Sequence, residues 1–277
     1  MKNGLYIVAT PIGNLKDISE RAAEVLKEAE IIACEDTRVT KKLFSLLGIS
    51  LKKSFVPLHN YNEEEQSSKI IGLINEGKSI ALVSDAGSPL ISDPGYKLIN
   101  ECRKAGVYIT TIPGSCALIC ALQLSGLPTN KFMFAGFIPN KEKARKDFLG
   151  EHKNINATLI FYETAPRILK SLEAAKEVFG NRDMSVVREI TKLYEEAVTA
   201  SADELIKIYS EKEPKGEIVF LVAPKTEDEK EEIDVERLLR EEMKKSSLKD
   251  TVQIISSKYN LSKKEAYNLA LKIKDEQ

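Results

Sequence analysis

The sequence has no tryptophan, only two histidines and four cysteines, and no long apolar run. Apolar runs such as Ile80–Val83 and Ile218–Val222 fall far short of the roughly 20 residues that a membrane span requires. Four cysteines in 277 residues are too few for a disulfide framework, and the two histidines complete no set of metal ligands. The N-terminus lacks the apolar segment of a secretory signal. We therefore expect a cytoplasmic protein with no membrane contact and no metal.

Net charge is also nearly absent, since 41 basic residues oppose 42 acidic ones and leave a formal charge of −1. This balance argues against a general nucleic-acid coat protein. Near the C-terminus, however, the charges are unevenly distributed. Acidic residues dominate Lys225–Glu242, whereas basic residues dominate Lys244–Lys274. These segments are interpreted as a charged linker followed by a small basic module.

Strand-like and helix-like segments alternate as far as Pro224, and this pattern predicts an α/β fold. The predicted strands are Leu5–Ala9, Ile31–Cys34, Ile80–Ser84, Val107–Ile112, Phe132–Phe137, Ala157–Tyr162, Met184–Arg188 and Glu217–Val222. The predicted helices are one that begins at Ser19, then Lys69–Asn75, Leu98–Lys104, Cys116–Leu124, Ile168–Phe179, Ala202–Tyr209, Val235–Met243, Leu248–Lys258 and Ser262–Lys274.

The length of 277 residues favours more than one globular unit. The break at Gly126–Pro128 and the end of the last predicted strand divide the chain into three parts. Residues 1–125 form a predicted N-terminal α/β domain, and residues 126–224 form a second α/β domain. Residues 225–277 hold the charged linker and a tail that resembles a helix-turn-helix, in which Ser262 and Glu265 have the spacing of a capping box.

Ligands of open α/β sheets gather at the carboxyl ends of the strands, so the loops that follow strands are informative. The first loop, Ala9–Leu15, has a single glycine and no G-x-G-x-x-G pattern, which gives no support for dinucleotide binding. Alone it is interpreted as a turn. The segment Glu35–Arg38 places two acids, a hydroxyl and an arginine after a strand. Helix capping with local ion pairing and a functional role are both open for it.

The segment Ser84–Gly95 combines small residues with two aspartates and two prolines. Small residues let a ligand approach the backbone, and a carboxylate can accept hydrogen bonds from ribose hydroxyls or an amine. A rigid double turn is the alternative. A further loop, Pro113–Ala117, leads into an apolar helix whose N-terminal amides can bind an anion.

In this order and spacing, the loops resemble those of the tetrapyrrole methylase superfamily. More narrowly, the chain resembles the ribosomal RNA small subunit methyltransferase I family, over nearly its whole length. The resemblance rests on Gly4–Ile18, Glu35–Arg38, Leu82–Pro89, Ser92–Gly95 and Arg188–Lys192. It implies S-adenosylmethionine as cofactor, bound in a cleft between two α/β domains that lack the Rossmann-type methyltransferase fold. It also implies 2'-O-methylation of a cytidine ribose in the decoding region of small-subunit (16S) ribosomal RNA.

The resemblance also implies roles for individual residues. The implied cofactor-binding residues are Asp85, Ala86, Gly87, Ser88, Ser115, Ala117 and Tyr162, with the strand Gly216–Ala223 closing the adenine side. The candidate catalytic residues are Glu189, Lys192, Glu35 and Asp36, and we hypothesise that Arg188–Lys192 orients the target ribose and phosphate. The candidate RNA-binding residues are Arg38, Arg145, Arg167 and Arg188. The H-x-x-N context of His59 also resembles the family and makes this residue a further functional candidate, with an ordinary polar loop as the alternative, whereas His152 is expected to be solvated.

Two positions depart from the family pattern. Ser88 stands where threonine is common, which keeps the hydroxyl, and Ala165 stands where a Pro-His pair is common, which removes an imidazole. The implied partners are ribosomal RNA within the assembled 30S subunit and a second copy of the chain.

Two other functions remain open. One is a methyltransferase that acts on a precorrin or uroporphyrinogen-type tetrapyrrole, against which the segment Glu35–Arg38 and the C-terminal helices argue. The other is an RNA-binding assembly factor without catalysis, against which the small-residue loops Asp85–Pro89 and Pro113–Ala117 argue.

Overall fold

The computed structural model describes residues 1–225, 235–243, 245–259 and 262–275. The chain divides into two compact units, Met1–Pro224 and Lys225–Gln277. The first unit contains the α/β part of the chain and the second contains the helical tail. Most of the predicted linker Lys225–Glu232 lies outside the described residues. In the ranges given above, no helix combines the length and apolar character that a membrane crossing requires.

The first half of unit 1 is a parallel sheet flanked by helices. Its strands are β1 Gly4–Val8, β2 Ile31–Cys34, β3 Ser54–Pro57, β4 Ser79–Val83 and β5 Ile109–Ile112. Its helices are α1 Glu20–Glu28, α2 Thr37–Leu46, α3 Glu63–Asn75, α4 Tyr96–Lys104 and α5 Ala117–Leu124. The strand order is β3-β2-β4-β1-β5.

Burial on both faces explains why the central strands read as continuous apolar runs. Helices α1 and α2 pack on one face of the sheet, and α3 and α4 pack on the other. Strand β4 pairs in parallel with both β1 and β2. The carboxyl ends of these three strands therefore meet at one edge, and the segments that follow them become neighbours.

The second half of unit 1 is a mixed sheet. Its strands are β6 Phe132–Phe137, β7 Thr158–Thr164, β8 Asp183–Arg188, β9 Glu196–Ser201 and β10 Glu217–Val222, in the order β6-β7-β10-β8-β9. Its helices are α6 Glu142–Glu151, α7 Ile168–Phe179 and α8 Ala202–Glu211.

Strand β10 is antiparallel to β7 and β8, so it begins where those strands end. Glu217 pairs with Thr164, and Ile218 pairs with Arg188. The apolar side of α5 packs against β7, β8 and β10 through Leu118 and Leu122. This contact joins the two sheets, because α5 follows directly from the first sheet and is buried on the second.

Unit 2 contains three helices among its described residues: α9 Val235–Met243, α10 Leu248–Tyr259 and α11 Lys263–Asp275. Their shared core includes Leu239, Ile255 and Ala270. The hydroxyl of Ser262 accepts a hydrogen bond from the backbone N–H of Glu265 at 3.4 Å, as the predicted cap requires. Residues 260–261, in the predicted connection between the last two helices, lie outside the described residues.

The fold differs from the sequence-based expectation in four elements. Helices α2 and α6 and strands β3 and β9 were not predicted. Strand β3 is short and contains a proline at a sheet edge, and β9 is a half-buried edge strand. Neither segment has an apolar run or a clear alternation, which is why the sequence did not reveal them.

Candidate active site

A cavity of about 410 Å³ lies among the loops that follow β1 and β4, the start of α5, and the ends of β7, β8 and β10. This volume lies within the range of small-molecule sites in proteins. Its lining residues are Ile12, Asp85, Ala86, Gly87, Ser88, Ile91, Ser92, Asp93, Cys116, Ala117, Phe137, Tyr162, Glu163, Thr164, Ile190, Gly216, Glu217, Ile218 and Val219. Every residue predicted to bind cofactor is in this set except Ser115.

Backbone pairing fixes the loops that follow β1 and β4 to each other. Thr10 and Gly87 exchange two backbone hydrogen bonds, of 2.8 and 3.1 Å. Gly87 has a φ of 77°, and a Cβ there would lie 3.1 Å from Cγ2 of Ile12. The Ser88 hydroxyl donates to the backbone carbonyl of Ser115 at 3.0 Å. Ser115 thus contacts the loop without lining the cavity, and Gly87 keeps the backbone accessible to a ligand.

A buried carboxylate from α3 holds the far end of the β4–α4 loop. One carboxylate oxygen of Glu63 accepts backbone hydrogen bonds from Gly95 at 3.1 Å, Lys97 at 2.7 Å and Leu98 at 3.2 Å. These amides belong to the first turn of α4, whose capping residue, Gly95, has no side chain to offer. A negative charge at a helix N-terminus is favourable. Glu63 therefore replaces the missing cap and braces the loop that lines the cavity.

The same loop stores backbone strain. Leu90 and Ser92 have φ values of 71° and 69°, in the left-handed region that non-glycine residues seldom adopt. Such conformations cost about 1–3 kcal/mol each and persist where the surroundings fix them. Ser92 and its neighbour Ile91 line the cavity. The bracing by Glu63 is thus part of what keeps this wall in place.

Replacing Glu63 with alanine is expected to lower the free energy of unfolding by about 2 kcal/mol, because two buried N–H groups and one part-buried N–H group lose their acceptor. The corresponding fall in melting temperature is about 4–8 °C for a unit of this size. Thermal denaturation measures it directly. Glu63→Gln retains a carbonyl acceptor at the same position and is expected to recover more than half of the loss. Equal melting temperatures for wild type and Glu63→Ala would contradict the capping role.

Four acidic residues meet at the edge shared by β2 and β4. The backbone N–H of Asp36 donates to the carboxylate of Asp85 at 3.1 Å. Burial raises the pKa of Asp85, and the nearby charge of Asp36 raises it further. Burial also raises the pKa of Asp93 and of Glu35. Asp85 and Asp93 line the cavity, so it contains two carboxylates whose pKa values burial raises.

Asp36 is both the cap of α2 and the partner of Arg38. Its carboxylate accepts from the backbone N–H of Arg38 at 2.7 Å and from the guanidinium at 2.6 Å. These contacts lower the pKa of Asp36 to about 2. The capping alternative for Glu35–Arg38 is therefore confirmed. Neither Glu35 nor Asp36, both predicted as catalytic, lines the cavity.

The predicted catalytic pair Glu189 and Lys192 forms a three-residue ionic cluster with Glu217. The ammonium of Lys192 donates to Glu189 at 2.9 Å and to Glu217 at 2.8 Å. The carboxylate of Glu189 also accepts from the backbone N–H of Glu217 at 3.1 Å. The contact with Lys192 lowers the pKa of Glu189. Because Glu217 and Ile190 line the cavity, the cluster stands at its wall.

Two glycines make room for this cluster. A Cβ at Gly13 would lie 2.6 Å from Cγ of Lys192 and 2.8 Å from the hydroxyl of Thr191. A Cβ at Gly216 would collide with the carboxyl group of Glu189. The backbone N–H of Asn14 donates to the Thr191 hydroxyl at 3.1 Å. The loop after β1 and the segment after β8 are thus in direct contact. They belong to Gly4–Ile18 and Arg188–Lys192, two of the segments on which the family resemblance rests.

An aromatic group forms another wall of the cavity. The ring of Tyr162 contacts Phe134 and Phe137 edge to face, with centroids 4.8 and 5.3 Å away. Burial raises the pKa of the Tyr162 hydroxyl to about 12. Tyr162 is therefore neutral near pH 7 and offers a flat apolar surface. Ala117 lines the cavity at the first turn of α5, a helix without a side-chain cap.

The arginines predicted to bind RNA have different environments. The Arg38 side chain is 89% exposed, although it pairs with Asp36. Arg188 is mostly buried and pairs with Glu196 at 2.6 Å. The prediction for Arg145 was wrong: its side chain is buried and donates to the backbone carbonyls of Asn140 at 2.8 Å and Lys170 at 3.4 Å. The charged sequence around Arg145 favours a surface position, but helix α6 directs this side chain inward.

Arg167 acts inside the second sheet. It pairs with the buried carboxylate of Glu163 at 3.1 Å and donates to the carbonyl of Ile138. Glu163 also accepts from the hydroxyl of Ser171 at 2.5 Å. Glu163 lines the cavity next to Tyr162. Arg167 is thus placed to hold this wall, and its guanidinium is largely committed to protein partners.

The two histidines lie outside the cavity. His152 was expected to be solvated, and this was wrong: it is buried, with Nδ1 2.7 Å from the carbonyl oxygen of Phe148. His59 is exposed, and its backbone N–H donates to the Asn62 side chain at 2.8 Å. Neither imidazole is placed to act on a molecule bound in the cavity.

Known proteins match the chain over most of its length. A family described as Tetrapyrrole (Corrin/Porphyrin) Methylases matches residues 4–206. A protein of Rickettsia prowazekii named Ribosomal RNA small subunit methyltransferase I is 43% identical over 278 residues, which cover 99% of this chain and 98% of that protein. This chain belongs to the ribosomal RNA small subunit methyltransferase I family. A protein of Erythrobacter litoralis with the same name is 48% identical over 271 residues, covering 98% and 95% of the two chains.

A solved structure supports the fold of this tetrapyrrole methylase family member. The crystal structure of diphthine synthase superimposes with a TM-score of 0.61 at 18% sequence identity, covering 80% of this chain and 90% of that chain. At this identity the likeness concerns the fold alone. It confirms the predicted fold class, two α/β halves of the tetrapyrrole methylase type followed by a helical C-terminal region.

The cofactor of the family is S-adenosylmethionine, and the residues around the cavity fit it. Asp85 and Asp93 supply carboxylates that suit hydroxyl or ammonium groups. Ile190, Val219 and Tyr162 supply the apolar surface that an adenine requires. Gly87 leaves the backbone open on one side, since a side chain there would be strained and would crowd Ile12.

Proposed function

We propose that the protein transfers a methyl group from S-adenosylmethionine to the 2'-hydroxyl of a cytidine in the decoding region of small-subunit ribosomal RNA. The coarser part, methylation of ribosomal RNA, is supported by relatives that carry that name over nearly the whole chain. The observation that carries the proposal is the ion pair of Lys192 with both Glu189 and Glu217, because Glu217 lines a cavity whose residues suit the cofactor.

The proposed reaction depends mainly on positioning. When bound, S-adenosylmethionine supplies an electrophilic methyl group. Holding two reactants in line can replace much of the entropy cost of bringing them together. Asp85, Gly87 and Ala117 hold the cofactor side, and the Glu189–Lys192 cluster orients the ribose and its phosphate. This division of roles requires the two loops to touch, as Gly13 and Thr191 allow.

Glu189 is our candidate for the group that accepts a hydrogen bond from the ribose hydroxyl. Lys192 lowers the pKa of this carboxylate, which favours its ionised, hydrogen-bond-accepting form. Because a lowered pKa also makes the carboxylate a weaker base, its proposed role is to orient the hydroxyl rather than to remove its proton. Lys192, paired with two carboxylates, keeps Glu189 in place and offers positive charge to the phosphate.

Arg38 is proposed to contact a phosphate of the RNA. We expect Arg38→Ala to weaken RNA binding and to reduce the slope of log affinity against log salt by about 1. Affinity for S-adenosylmethionine should not change, because Arg38 does not line the cavity. Filter binding across a salt series measures the slope. Arg103→Ala, at the end of α4, is the matched control, and an unchanged slope for Arg38→Ala would exclude the phosphate contact.

We further infer that the substrate is the assembled 30S subunit. We also propose that the protein works as a homodimer in the cytoplasm. Within one copy, residues 1–125 and 126–224 are proposed to act as separate domains around the cavity. Aromatic residues are only 6% of the chain and tryptophan is absent, so a broad stacking platform for single-stranded RNA is not available. Recognition of a folded particle by shape and by phosphate contacts suits this composition better.

Transfer of tritium from labelled S-adenosylmethionine tests the proposal. The acceptors are small ribosomal subunits, naked ribosomal RNA and a uroporphyrinoid. We expect label on the subunits, recovered as a single 2'-O-methylcytidine after nuclease digestion. Label on the uroporphyrinoid would support the tetrapyrrole alternative. Cofactor binding without label on any acceptor would support an assembly factor that has lost catalysis.

A further inference from the structure

The loop between β8 and β9 exposes two adjacent large apolar side chains. Leu193 is 88% exposed and Tyr194 is 68% exposed. Single exposed apolar residues are common on protein surfaces and need no explanation. Two neighbours at the tip of one loop form a small apolar projection, which we call the 193–194 tip. It directly follows Lys192, whose ammonium reaches the cavity residue Glu217.

Hydrogen bonds on both sides hold the 193–194 tip in an outward position. The carboxylate of Glu195 accepts from the backbone N–H of Thr191 at 2.6 Å, and the backbone N–H of Glu195 donates to the carbonyl of Lys192 at 3.2 Å. Glu189 and Thr191 have positive φ values of 51° and 66°, so the turn is fixed rather than relaxed. The strained turn and these hydrogen bonds therefore keep the side chains of Leu193 and Tyr194 exposed to solvent.

The position of the tip suggests what it contacts. On one side it adjoins the Glu189–Lys192 cluster, which faces the cavity. The 2'-hydroxyls of folded RNA lie in its shallow minor groove, and displacing a nucleotide from the stack brings its ribose further into a recessed site. Proteins that displace or kink nucleic acid insert apolar side chains into the gap between bases. An aromatic ring can in addition stack on the base that loses its neighbour.

We propose that Leu193 and Tyr194 form a wedge that enters the base stack beside the target nucleotide of the RNA and stabilises its displaced position. This inference rests on the proposed function, because it requires RNA as substrate. It assigns the tip a specific partner, an RNA base stack next to the methylated ribose. No covalent step is involved, and the tip acts on the position of the substrate rather than on the methyl group.

The test compares Tyr194→Ala and Tyr194→Phe with wild type on small ribosomal subunits. Tyr61→Ala is the matched control, since Tyr61 is 99% exposed on another loop and does not line the cavity. We expect Tyr194→Ala to lower kcat by about tenfold or more, as loss of one stacking contact implies, with a smaller change in KM. Tyr194→Phe keeps the ring and should retain most of the activity. Affinity for S-adenosylmethionine should be unchanged in all variants.

Chemical probing of base accessibility supplies a readout that is independent of turnover. With S-adenosylhomocysteine present, wild type should expose a base beside the target nucleotide, and Tyr194→Ala should not. A rise in KM alone, or unchanged base exposure in Tyr194→Ala, would overturn the wedge. So would conversion of a dimer to a monomer by this substitution, since the tip would then be a contact between copies. If the wild-type protein transfers no label to small subunits, the proposed function itself is refuted. If it transfers label without exposing a base, only the wedge is refuted.

Discussion

Lys192→Ala is expected to reduce kcat for RNA methylation by about 10²–10³-fold, within the range that positioned polar groups contribute to catalysis. Lys192 bridges Glu189 and Glu217 at 2.9 and 2.8 Å. Its removal takes away the cation that Glu189 and Glu217 share, so Glu189 loses the ion pair that holds it in place and lowers its pKa. Affinity for S-adenosylmethionine should change by less than about threefold, because Lys192 does not line the cavity.

The chain offers a matched control for Lys192. Lys146 also bridges two glutamates, Glu142 at 3.1 Å and Glu177 at 2.7 Å, but it lies on α6 away from the cavity. Lys146→Ala removes the same kind of ion pair and should leave kcat unchanged. Single-turnover methylation of small subunits measures both variants. Equal rates for Lys192→Ala and Lys146→Ala would show that the Glu189–Lys192 cluster is structural.

The second large effect is expected for Asp85. Asp85→Asn should weaken binding of S-adenosylmethionine by about 10–100-fold, since hydrogen bonds to a charged group contribute about 1.5–3 kcal/mol. Asparagine retains an oxygen that can accept from the backbone N–H of Asp36, so the loop keeps its contact with α2. Isothermal titration with the cofactor measures the change. Asp203→Asn, in a surface ion pair with Lys176, is the control.

The affinity of the wild type should also depend on pH through Asp85. Burial raises the pKa of its carboxyl group in the folded protein. If the cofactor binds the ionised form, affinity falls as pH falls through this raised pKa, at a higher pH than for an ordinary aspartate. The Asp85→Asn variant should give a flatter profile over the same range. If the affinities of wild type and Asp85→Asn depend on pH in the same way, Asp85 does not bind the cofactor.

Much of the fold was predictable because the central strands are buried on both faces. Strands β2 and β10 and helix α7 have the predicted bounds, since apolar runs and turn residues mark their ends. Strand β6 also has the predicted bounds, although it is a partly exposed edge strand, because its sequence is a continuous apolar run. The edge strand β9 was missed because its residues are only partly buried and its sequence has no apolar run. Helix α6 was missed because its sequence is strongly charged, with Arg145 directed inward to backbone carbonyls that no local pattern reveals.

The candidate site was predictable where it depends on contiguous residues. The segment Asp85–Ser88 lines the cavity because small residues and a carboxylate follow a strand that neighbours β1. Contacts that join distant parts of the chain were not predictable. Glu63 caps a helix that begins more than thirty positions later, and Lys192, after β8, contacts Glu217 at the start of the neighbouring strand β10. Such pairs depend on sheet order, which is set by the packing of the whole unit.

Hydrogen–deuterium exchange with and without S-adenosylmethionine tests the central claim most directly, because it locates the bound cofactor without any assumption about the acceptor. We expect protection in residues 84–95, in the first turn of α5 and at the start of β10, where the cavity is lined. Helix α6 and the exposed end of α2 should exchange at unchanged rates. Protection confined to segments that do not line the cavity would show that the cofactor binds elsewhere. That result would also contradict the roles given to Asp85 and to the Glu189–Lys192 cluster.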